Sequence, residues 1–292
     1  MHGRNHTAQV VRFGQECLLL DCGEGTQIQM RKFMVKSSKI SCIFISHLHG
    51  DHYLGLTGML SSYALAKRTT PLTIFGPKGL DEIITTQFRW SNTRLTYTLN
   101  FVETKTDGKN LLLEHPRFTV HSFPLTHRLP TTGFLITEKS GLLNLNKEKL
   151  QEKRIPLEAI QSLRKGLDFV EDSGEIYLVN DYTHAHHALR SYAFCSDTCY
   201  QPRLVEYLKS PTLLYHESTF MEADLERAKV TFHSTAREAA EMANLLQAKS
   251  LLLGHFSSRY GNLEEMLDEA KTVFGNSELS EEGKTYSILP AN

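Results

Sequence analysis

Three histidines and one aspartate lie within six consecutive residues, between an apolar run and a helical pattern. They are His47, His49, Asp51 and His52 in the sequence SHLHGDH. In extended backbone the first two side chains lie on one side, and Gly50 permits the sharp turn that brings the other two back toward them. Burying three imidazoles and a carboxylate without partners is unfavourable. The spacing therefore favours metal binding over a polar loop that happens to be rich in histidine.

Five other apolar runs each end in an acid or a histidine. In open α/β sheets the sites lie beyond the carboxyl ends of the strands, so we expect these side chains to gather. The residues are Asp21, His127, Asp197, the pair His216 and Glu217, and His255. Nitrogen and oxygen ligands without thiolate suit zinc, with manganese or iron as alternatives. A carboxylate such as Asp197 can bridge two cations, and water activated by such a pair is a nucleophile at neutral pH, which indicates hydrolysis.

Composition excludes several classes of protein. The 292 residues are 40% hydrophobic and 22% charged, unlike a disordered tail, a collagen-like fibre or a coiled-coil rod. No apolar run is long enough to cross a bilayer and the first residues lack the core of a signal peptide, so we expect a cytoplasmic protein without a membrane partner. The formal charge is −1, so a polyanionic partner must meet a local basic patch. Ile28 interrupts the dinucleotide-like pattern that starts at Gly23, so we expect no nucleotide cofactor.

Short β-rich runs alternate with helical patterns, which indicates an α/β or layered α+β fold. A helix is predicted over 52–67, with Leu54 and Leu60 on its apolar face. Strands are predicted at 8–13, 17–20, 41–45, 72–75, 175–179, 192–195, 212–215 and 250–253, and a β pattern extends over 111–137. Further helices are predicted at 80–88, 235–247 and 264–274, and a charged helical pattern extends over 147–165. Residues 138–165 hold seven Lys and Arg against four Glu, so this segment is locally basic. We interpret it as part of an insertion on a single domain that spans residues 1–292.

The order of short motifs resembles the ribonuclease Z family of tRNA 3′-processing endonucleases, which has the metallo-β-lactamase fold. The motifs are DCGEGTQ at 21–27, HLHGDH at 47–52, GPKG at 76–79, PLTHR at 124–128, SDT at 196–198, HEST at 216–219, HST at 233–235 and GHFSSRY at 254–260. HEST and HFSSRY are far more specific than the metal motif, which the whole superfamily shares. The resemblance covers nearly the whole chain and implies a layered αββα sandwich with an inserted, protruding arm at 138–180.

The resemblance also implies roles for individual residues. It implies two zinc ions per subunit, one held by His47, His49 and His127, the other by Asp51, His52 and His255, with Asp197 bridging. Asp51 would also act as general base, and Glu217 with His233 would orient and protonate the departing 3′ oxygen. Asp21 would hold a ligand in place by hydrogen bonding. Substrate contacts would fall on Lys78, Ser257 and Arg259.

The family's arm grips the tRNA elbow, and its subunits form homodimers in which one arm serves the partner's active site. By resemblance we therefore expect precursor tRNA as substrate and a homodimer. In bacterial short forms the arm carries a Gly-Pro-rich motif, whereas 155–166 has one Pro and one Gly, so we expect an altered grip. The family also opens with a strand before the Arg4-Asn5 pair, so we expect the first sheet to lack its outer strand.

Two other functions remain open at this point. A small-molecule hydrolase acting on a lactone, thioester or arylsulfate would share the histidine motif, but it has no need of HEST, HST or a basic arm. A metal-free relative that binds RNA or a protein would have lost ligands, whereas every expected ligand is present. Cleavage of competing substrates discriminates the first alternative, and metal content per chain discriminates the second.

Overall fold

The computed structural model describes residues 3–153, 155–184 and 188–289, and Arg154 of the basic segment lies outside them. The strands are β1 Gln9–Phe13, β2 Glu16–Leu20, β3 Ile40–Phe44, β4 Leu72–Gly76, β5 Leu99–Glu103, β6 Asn110–Glu114, β7 Phe118–Leu125, β8 Thr131–Glu138, β9 Phe169–Val170, β10 Ile176–Tyr177, β11 Ser191–Cys195, β12 Leu213–Glu217, β13 Leu251–Gly254 and β14 Ser277–Leu279. The helices are α1 Thr26–Lys32, α2 Gly50–Tyr53, α3 Gly55–Leu65, α4 Leu80–Trp90, α5 Lys147–Glu152, α6 Leu157–Arg164, α7 Val179–Tyr182, α8 Leu225–Thr231, α9 Ala236–Leu245 and α10 Glu264–Val273. None of the described helices is long and apolar enough to span a membrane.

Two mixed sheets form the centre of the fold. The first has the order β1-β2-β3-β4-β5 and is parallel except for the β1–β2 hairpin. The second has the order β14-β13-β12-β11-β8-β7-β6, parallel from β14 to β11 and antiparallel from there to β6. The inner parallel strands, such as β3 and β13, are nearly continuous apolar runs because both of their faces are covered.

Aromatic side chains fill the space between the two sheets. Phe44 of the first sheet stacks on Phe75 with ring centroids 4.7 Å apart, and it meets Phe134 of the second sheet at 5.4 Å. Phe194 continues this layer by stacking on Tyr215. All five side chains belong to one buried cluster, which holds the sheets face to face.

Helices cover the outer face of each sheet. Leu56 and Leu60 of α3 and Ile84 of α4 pack against the first sheet in a second cluster. The alanine-rich face of α9, with Met266 of α10, packs against the second sheet in a third. The layers are therefore helix, sheet, sheet, helix, and the predicted layered αββα sandwich is confirmed.

The segment between β8 and β11 has a small core of its own. Ala159, Leu163 and Tyr177 are buried together there, in a cluster separate from the three others. An isolated bridge between Leu145 and Thr183 joins the two ends of this segment. These contacts support an inserted arm over 138–180, which stays a prediction.

Two sequence predictions differ from the structure in instructive ways. The predicted helix over 52–67 is two helices, because the Gly55 N–H bonds the Cys22 carbonyl at 2.9 Å and the chain is offset there. Leu54 is consequently 56% exposed rather than part of the apolar face. The predicted strand over 175–179 is shorter, since Asp168 accepts a 2.7 Å hydrogen bond from the Val179 N–H and a helical turn begins at Val179.

Six elements have no counterpart in the sequence predictions. They are α1, β5, β9, α7, α8 and β14. The strands β5 and β14 are half-exposed, and β9 and β14 have only two and three residues, so none shows a clear apolar alternation. The helices have four to seven residues, which is too short for a helical period to stand out.

Truncating the ring that joins the sheets should destabilise the fold. Phe44→Ala should lower the free energy of unfolding by about 3–5 kcal/mol, because it removes two ring contacts and leaves a cavity between rigid sheets. Leu65→Ala is the control, since Leu65 is 84% exposed and its loss should cost less than about 0.5 kcal/mol. Urea denaturation followed by circular dichroism measures both. Similar losses for the two variants would contradict the assigned core.

Candidate metal centre and active site

The predicted ligands come from both sheets and meet at one edge of the sandwich. His47 and His49 follow β3, and Asp51 and His52 lie in α2 directly after them. The second sheet contributes residues that follow its strands, namely His127 after β7, Asp197 after β11 and His255 after β13. The seven residues that the sequence predicted are therefore brought together.

Three imidazole nitrogens converge in the first half of the site. His47 Nε2 lies 2.9 Å from His49 Nδ1, and His127 Nε2 lies 3.2 Å from the same atom. Asp197 Oδ2 completes the group at 3.7 Å from His47 Nε2 and 3.8 Å from His127 Nε2. A tetrahedral zinc ion with bonds of about 2.0–2.1 Å needs ligand atoms about 3.3 Å apart. The four atoms surround a position of suitable size.

The second half of the site combines two imidazoles with two carboxylates. Asp197 Oδ1 lies 3.3 Å from His52 Nε2 and 3.2 Å from His255 Nε2. Asp51 Oδ2 lies 3.5 Å and 3.8 Å from the same two nitrogens. His52 Nε2 and Asp197 Oδ1 are buried, and neither has a hydrogen-bond partner among the described residues. Because buried polar atoms are rarely left without a partner, this pair fits a cation that both would coordinate.

Asp197 faces both halves of the site. Its Oδ2 is directed to the first group and its Oδ1 to the second, and its side chain is almost completely buried. A carboxylate whose two oxygens face different ligand groups can bridge two cations. The chemistry of this donor set, nitrogen and oxygen without thiolate, fits zinc, manganese or iron.

Burial and the two carboxylates set the charges of the imidazoles. Burial, with the neighbouring His52, lowers the pKa of His47 to about 2, so this imidazole is neutral and its lone pair is available to a cation. Burial also lowers the pKa of His255, but Asp197 and Asp51 outweigh burial and raise that pKa to about 9. Burial raises the pKa of Asp197, yet the surrounding imidazoles hold it well below its usual range. The carboxylates are thus ionised, and they favour positive charge between them.

Asp21 and Ser46 orient the ligands that follow β3. Asp21 Oδ2 accepts a 2.8 Å hydrogen bond from His52 Nδ1, and its Oδ1 accepts one of 2.8 Å from the Ser46 N–H. The Ser46 hydroxyl lies 3.0 Å from both Asp21 Oδ2 and His47 Nδ1. With Nδ1 occupied, each of the two imidazoles presents Nε2 to the centre. The predicted supporting position of Asp21 agrees with these contacts.

Backbone geometry orients His127. Its Nδ1 donates to the Phe232 carbonyl at 2.8 Å, which leaves Nε2 for the centre. Phe232 ends α8 with a φ of 58°, in the left-handed region, and this turn brings His233 next to the site. The loop before His233 therefore holds one predicted ligand and presents the predicted acid.

Glu217 and His233 form a hydrogen-bonded pair beside the centre. His233 Nδ1 donates to Glu217 Oε1 at 2.7 Å, and Oε1 also accepts from the Thr198 N–H at 3.0 Å. Oε2 accepts from the N–H and the hydroxyl of Thr219 at 3.0 and 2.7 Å. Burial raises the pKa of Glu217, but the charge and hydrogen bond of His233 outweigh burial and lower it. The buried carboxylate fixes the imidazole, whose ring stacks on that of His255 at 5.4 Å.

Thr219 links this pair to the metal centre, a role that the sequence did not reveal. Its hydroxyl donates to Glu217 and lies 2.8 Å from His255 Nδ1, so it accepts a hydrogen bond from that imidazole. The HEST motif includes Thr219, but the sequence around a threonine does not predict a hydrogen bond to a histidine 36 residues away. The neighbouring Ser218 hydroxyl instead donates to the Gly254 carbonyl at 3.1 Å.

The three predicted substrate contacts lie outside the ligand cluster. Lys78 is exposed at the turn between β4 and α4, and it has no ion pair or hydrogen bond in the described ranges. Arg259 is bound to Asp224 at 2.8 Å and lies over the Phe220 ring. Ser257 has its backbone fixed by a 3.1 Å hydrogen bond from its N–H to the Thr219 carbonyl. Of the two cations, the Arg259 guanidinium is therefore paired, whereas none of the described residues pairs with the Lys78 ammonium group.

Curated relatives match the chain from end to end. Ribonuclease Z of Bacteroides fragilis strain YCH46 is 39% identical over 282 residues, which cover 97% of this chain and 93% of that relative. Ribonuclease Z of Cytophaga hutchinsonii is 41% identical over 287 residues, which cover 98% of this chain and 91% of that relative.

Solved structures agree with these matches. The crystal structure of human tRNase Z, short form, has a TM-score of 0.71 at 29% identity and covers 98% of this chain and 93% of that chain. The metallo-β-lactamase fold protein YhfI from Bacillus subtilis has a TM-score of 0.65 at 18% identity, covering 97% and 91% of the two chains. The second likeness shows the fold alone.

A family model described as anti-Pycsar protein Apyc1 matches residues 2–123. That range holds the whole first sheet and the histidine motif, but it is less than half of the chain. The relatives at 39% and 41% identity each match nearly the whole sequence. The chain therefore belongs to the ribonuclease Z family.

Proposed function

We propose that this chain is a metal-dependent endoribonuclease that removes the 3′ trailer of precursor tRNA. It cuts after the discriminator nucleotide and leaves a 3′ hydroxyl on the tRNA. The observation that carries this proposal is the pair of the buried Glu217 with His233 beside a seven-residue ligand cluster, in a chain 39% identical to a ribonuclease Z. A ribose 3′ oxygen leaves as an alkoxide and needs a proton donor, whereas the thiolate of a thioester does not.

We propose two zinc ions as the cofactors of this site. His47, His49 and His127 would hold one ion and Asp51, His52 and His255 the other, with Asp197 between them. Asp21, Ser46 and Thr219 would support these ligands through their Nδ1 atoms. Bound cations supply Lewis acidity toward a phosphodiester and a nucleophile derived from water at neutral pH.

The residues around the cluster divide the proton transfers between them. Asp51, with a side chain 42% exposed, is the carboxylate that solvent reaches, and it would accept the proton of the attacking water. The water oxygen bonds to phosphorus as the bond from phosphorus to the ribose 3′ oxygen breaks. His233 would give that oxygen a proton from Nε2, because Nδ1 is held by Glu217. The products are a 3′ hydroxyl on the tRNA and a 5′ phosphate on the trailer.

We propose that the arm contacts the tRNA away from the cut. Lys147, Lys149, Arg164 and Lys165 of the arm have no ion-pair partner in the part of the chain that the structure describes, whereas Lys153 is paired with Glu175. Over 138–180 the arm holds seven basic and eight acidic residues, so its positive charge is confined to the first half. The helices α5 and α6, rather than the acidic β9–β10 hairpin, therefore offer the surface for phosphates.

We also propose a homodimer in which each arm serves the partner's site, in the cytoplasm. Exposed apolar side chains near α1 and α3 support a protein contact there. Ile28, Met34, Leu54 and Leu65 are each more than half exposed, and burying such side chains against a partner would be favourable.

A precursor tRNA with a 3′ extension tests the proposed function. Purified protein should release the trailer and leave a 3′ hydroxyl directly after the discriminator nucleotide, which end mapping detects. Removing metal with a chelator should abolish cleavage, and zinc should restore it. Efficient hydrolysis of a lactone or thioester without precursor cleavage would contradict the proposal and favour a small-molecule hydrolase.

Replacing His233 should separate protonation from metal binding. His233→Ala should lower kcat for precursor cleavage by about 10²- to 10⁴-fold, because the leaving oxygen loses its proton donor. Metal content per chain, measured by mass spectrometry, should stay unchanged. His127→Ala is the matched control, since it removes an imidazole from the neighbouring position and should lower metal content. A large loss of metal in His233→Ala would contradict the assignment of the acid.

Replacing Thr219 should weaken both metal binding through His255 and proton donation by the Glu217–His233 pair, because the Thr219 hydroxyl contacts both His255 and Glu217. Thr219→Val should lower metal affinity or kcat by about 10- to 100-fold, because His255 loses its acceptor and Glu217 loses a donor. Thr219→Ser keeps the hydroxyl and should restore both. Ser218→Ala is the control, because the Ser218 hydroxyl bonds the Gly254 carbonyl and no other described residue, so its loss should leave metal affinity at the unsubstituted value. Equal defects in the Val and Ser variants would show that the methyl group, not the hydroxyl, matters.

A further inference from the structure

A cleft of about 340 Å³ opens beside the candidate metal centre. It lies between the loop after β3, the turn after β4, the segment after β5 and the turn between β7 and β8. Leu48, between the ligands His47 and His49, is part of its wall, and Leu129 follows His127 by two residues.

The walls of the cleft are apolar and suited to a flat group. Leu48, Pro77, Leu129 and Pro130 line it. Its volume is at the lower end of the range for small-molecule sites, so it admits one compact unit rather than a folded nucleic acid. A planar nucleobase placed between prolines and leucines would bury both of its faces.

The rim of the cleft carries cations that the protein leaves unpaired. Lys78 and Lys105 line it, and neither has an ion-pair partner within the ranges that the structure describes. The rim also carries two exposed acids, Glu103 and Asp107, and Asp107 accepts a hydrogen bond from the Asn110 amide. The rim is therefore neutral overall, and its two ammonium groups offer a local contact for one phosphate beside an apolar slot for a base.

Two threonines that line the cleft have hydroxyl oxygens without partners. The oxygens of Thr104 and Thr132 are buried, and neither has a hydrogen-bond partner among the described residues. Their backbones are fixed, since the Thr104 N–H bonds the Gly76 carbonyl at 2.8 Å and the Thr132 N–H bonds the Ser46 carbonyl at 3.1 Å. Because neither oxygen reaches the solvent, the two side chains form a fixed floor of the cleft rather than a contact to its ligand.

Strand order places the cleft and the proposed acid on different sides of the centre. In the second sheet, β7 and β8 border the cleft, β11 carries Asp197, and β12 carries Glu217. If His233 protonates the 3′ oxygen of the tRNA, the tRNA end lies toward β12. The nucleotide on the other side of the scissile phosphate then lies toward the cleft.

We infer that the cleft binds the first nucleotide of the 3′ trailer. Its base lies against Pro77, Leu48 and Leu129, and the phosphate on its 3′ side contacts Lys78 and Lys105. The inference rests on the proposed function and deepens it, because it makes the enzyme sensitive to the nucleotide just beyond the cut.

Three precursor tRNAs test the base contact. One is unmodified, one has an abasic ribose at the first trailer position, and one has an abasic ribose at the discriminator position. The value of kcat/KM is measured for the unsubstituted chain and for Leu129→Ala. Leu129→Ala should lower kcat/KM about tenfold on the unmodified precursor and on the precursor that is abasic at the discriminator position. It should cause no further loss on the precursor that is abasic in the trailer.

The double variant Lys78→Ala, Lys105→Ala tests the phosphate contact. The slope of log KM against log salt should decrease by about 0.7 in magnitude, since the two lysines contact one phosphate and each phosphate neutralised on single-stranded RNA releases about 0.7 counterion. Lys271→Ala, an exposed lysine of α10 on the outer layer, should leave the slope unchanged. An unchanged slope in the double variant would overturn the phosphate contact.

The outcomes separate this inference from the proposed function. If the unsubstituted chain cuts no precursor, the proposed function fails and the inference fails with it. If the precursor is cut but Leu129→Ala causes equal losses on all three substrates, the inference alone is overturned. Leu129→Ala could instead lower kcat/KM on every precursor except the one that is abasic at the discriminator position. The cleft would then bind the discriminator base of the tRNA, and the assignment to the trailer would be wrong.

Discussion

The buried carboxylate of Asp197 is the constraint on which the site depends. An ionised carboxylate with almost no solvent contact is tolerated only where positive charge or donors surround it. Here four imidazole nitrogens lie within 4 Å of its two oxygens, and they come from both sheets. These four imidazoles reach Asp197 only when the two sheets pack face to face, because they are carried by the loop after β3 and by the ends of β7 and β13.

A layer of hydroxyls and carbonyls around the imidazoles decides which nitrogen faces the centre. Ser46, Thr219 and the Phe232 carbonyl each contact an Nδ1 atom, and Asp21 does the same for His52. Thr219 also holds Glu217, so the orientation of a ligand and that of the proposed proton donor depend on one side chain. The centre and the Glu217–His233 pair are therefore one hydrogen-bonded unit.

The sequence predicted which residues gather at this edge because most of them lie at the end of an apolar run. His47, Asp197 and His255 follow strands whose composition is unmistakable, and parallel topology brings such ends together. It predicted less of the surrounding network, since a hydroxyl such as Thr219 acts on residues distant in sequence. The offset at Gly55 also escaped prediction, because it arises from a backbone hydrogen bond to Cys22 rather than from helical periodicity. Short elements such as β14 and α8 carry too few residues for any pattern.

The division of the ligands between the two sheets has a thermodynamic consequence. A cation bound by His47 and Asp197 at once joins the two halves of the sandwich at the edge where their loops meet. By mass action, any ligand that binds only this assembled arrangement adds to the free energy that keeps the halves together. Metal binding and the stability of the fold are therefore linked. A lowered supply of metal would shorten the lifetime of the folded protein as well as lower its catalytic rate.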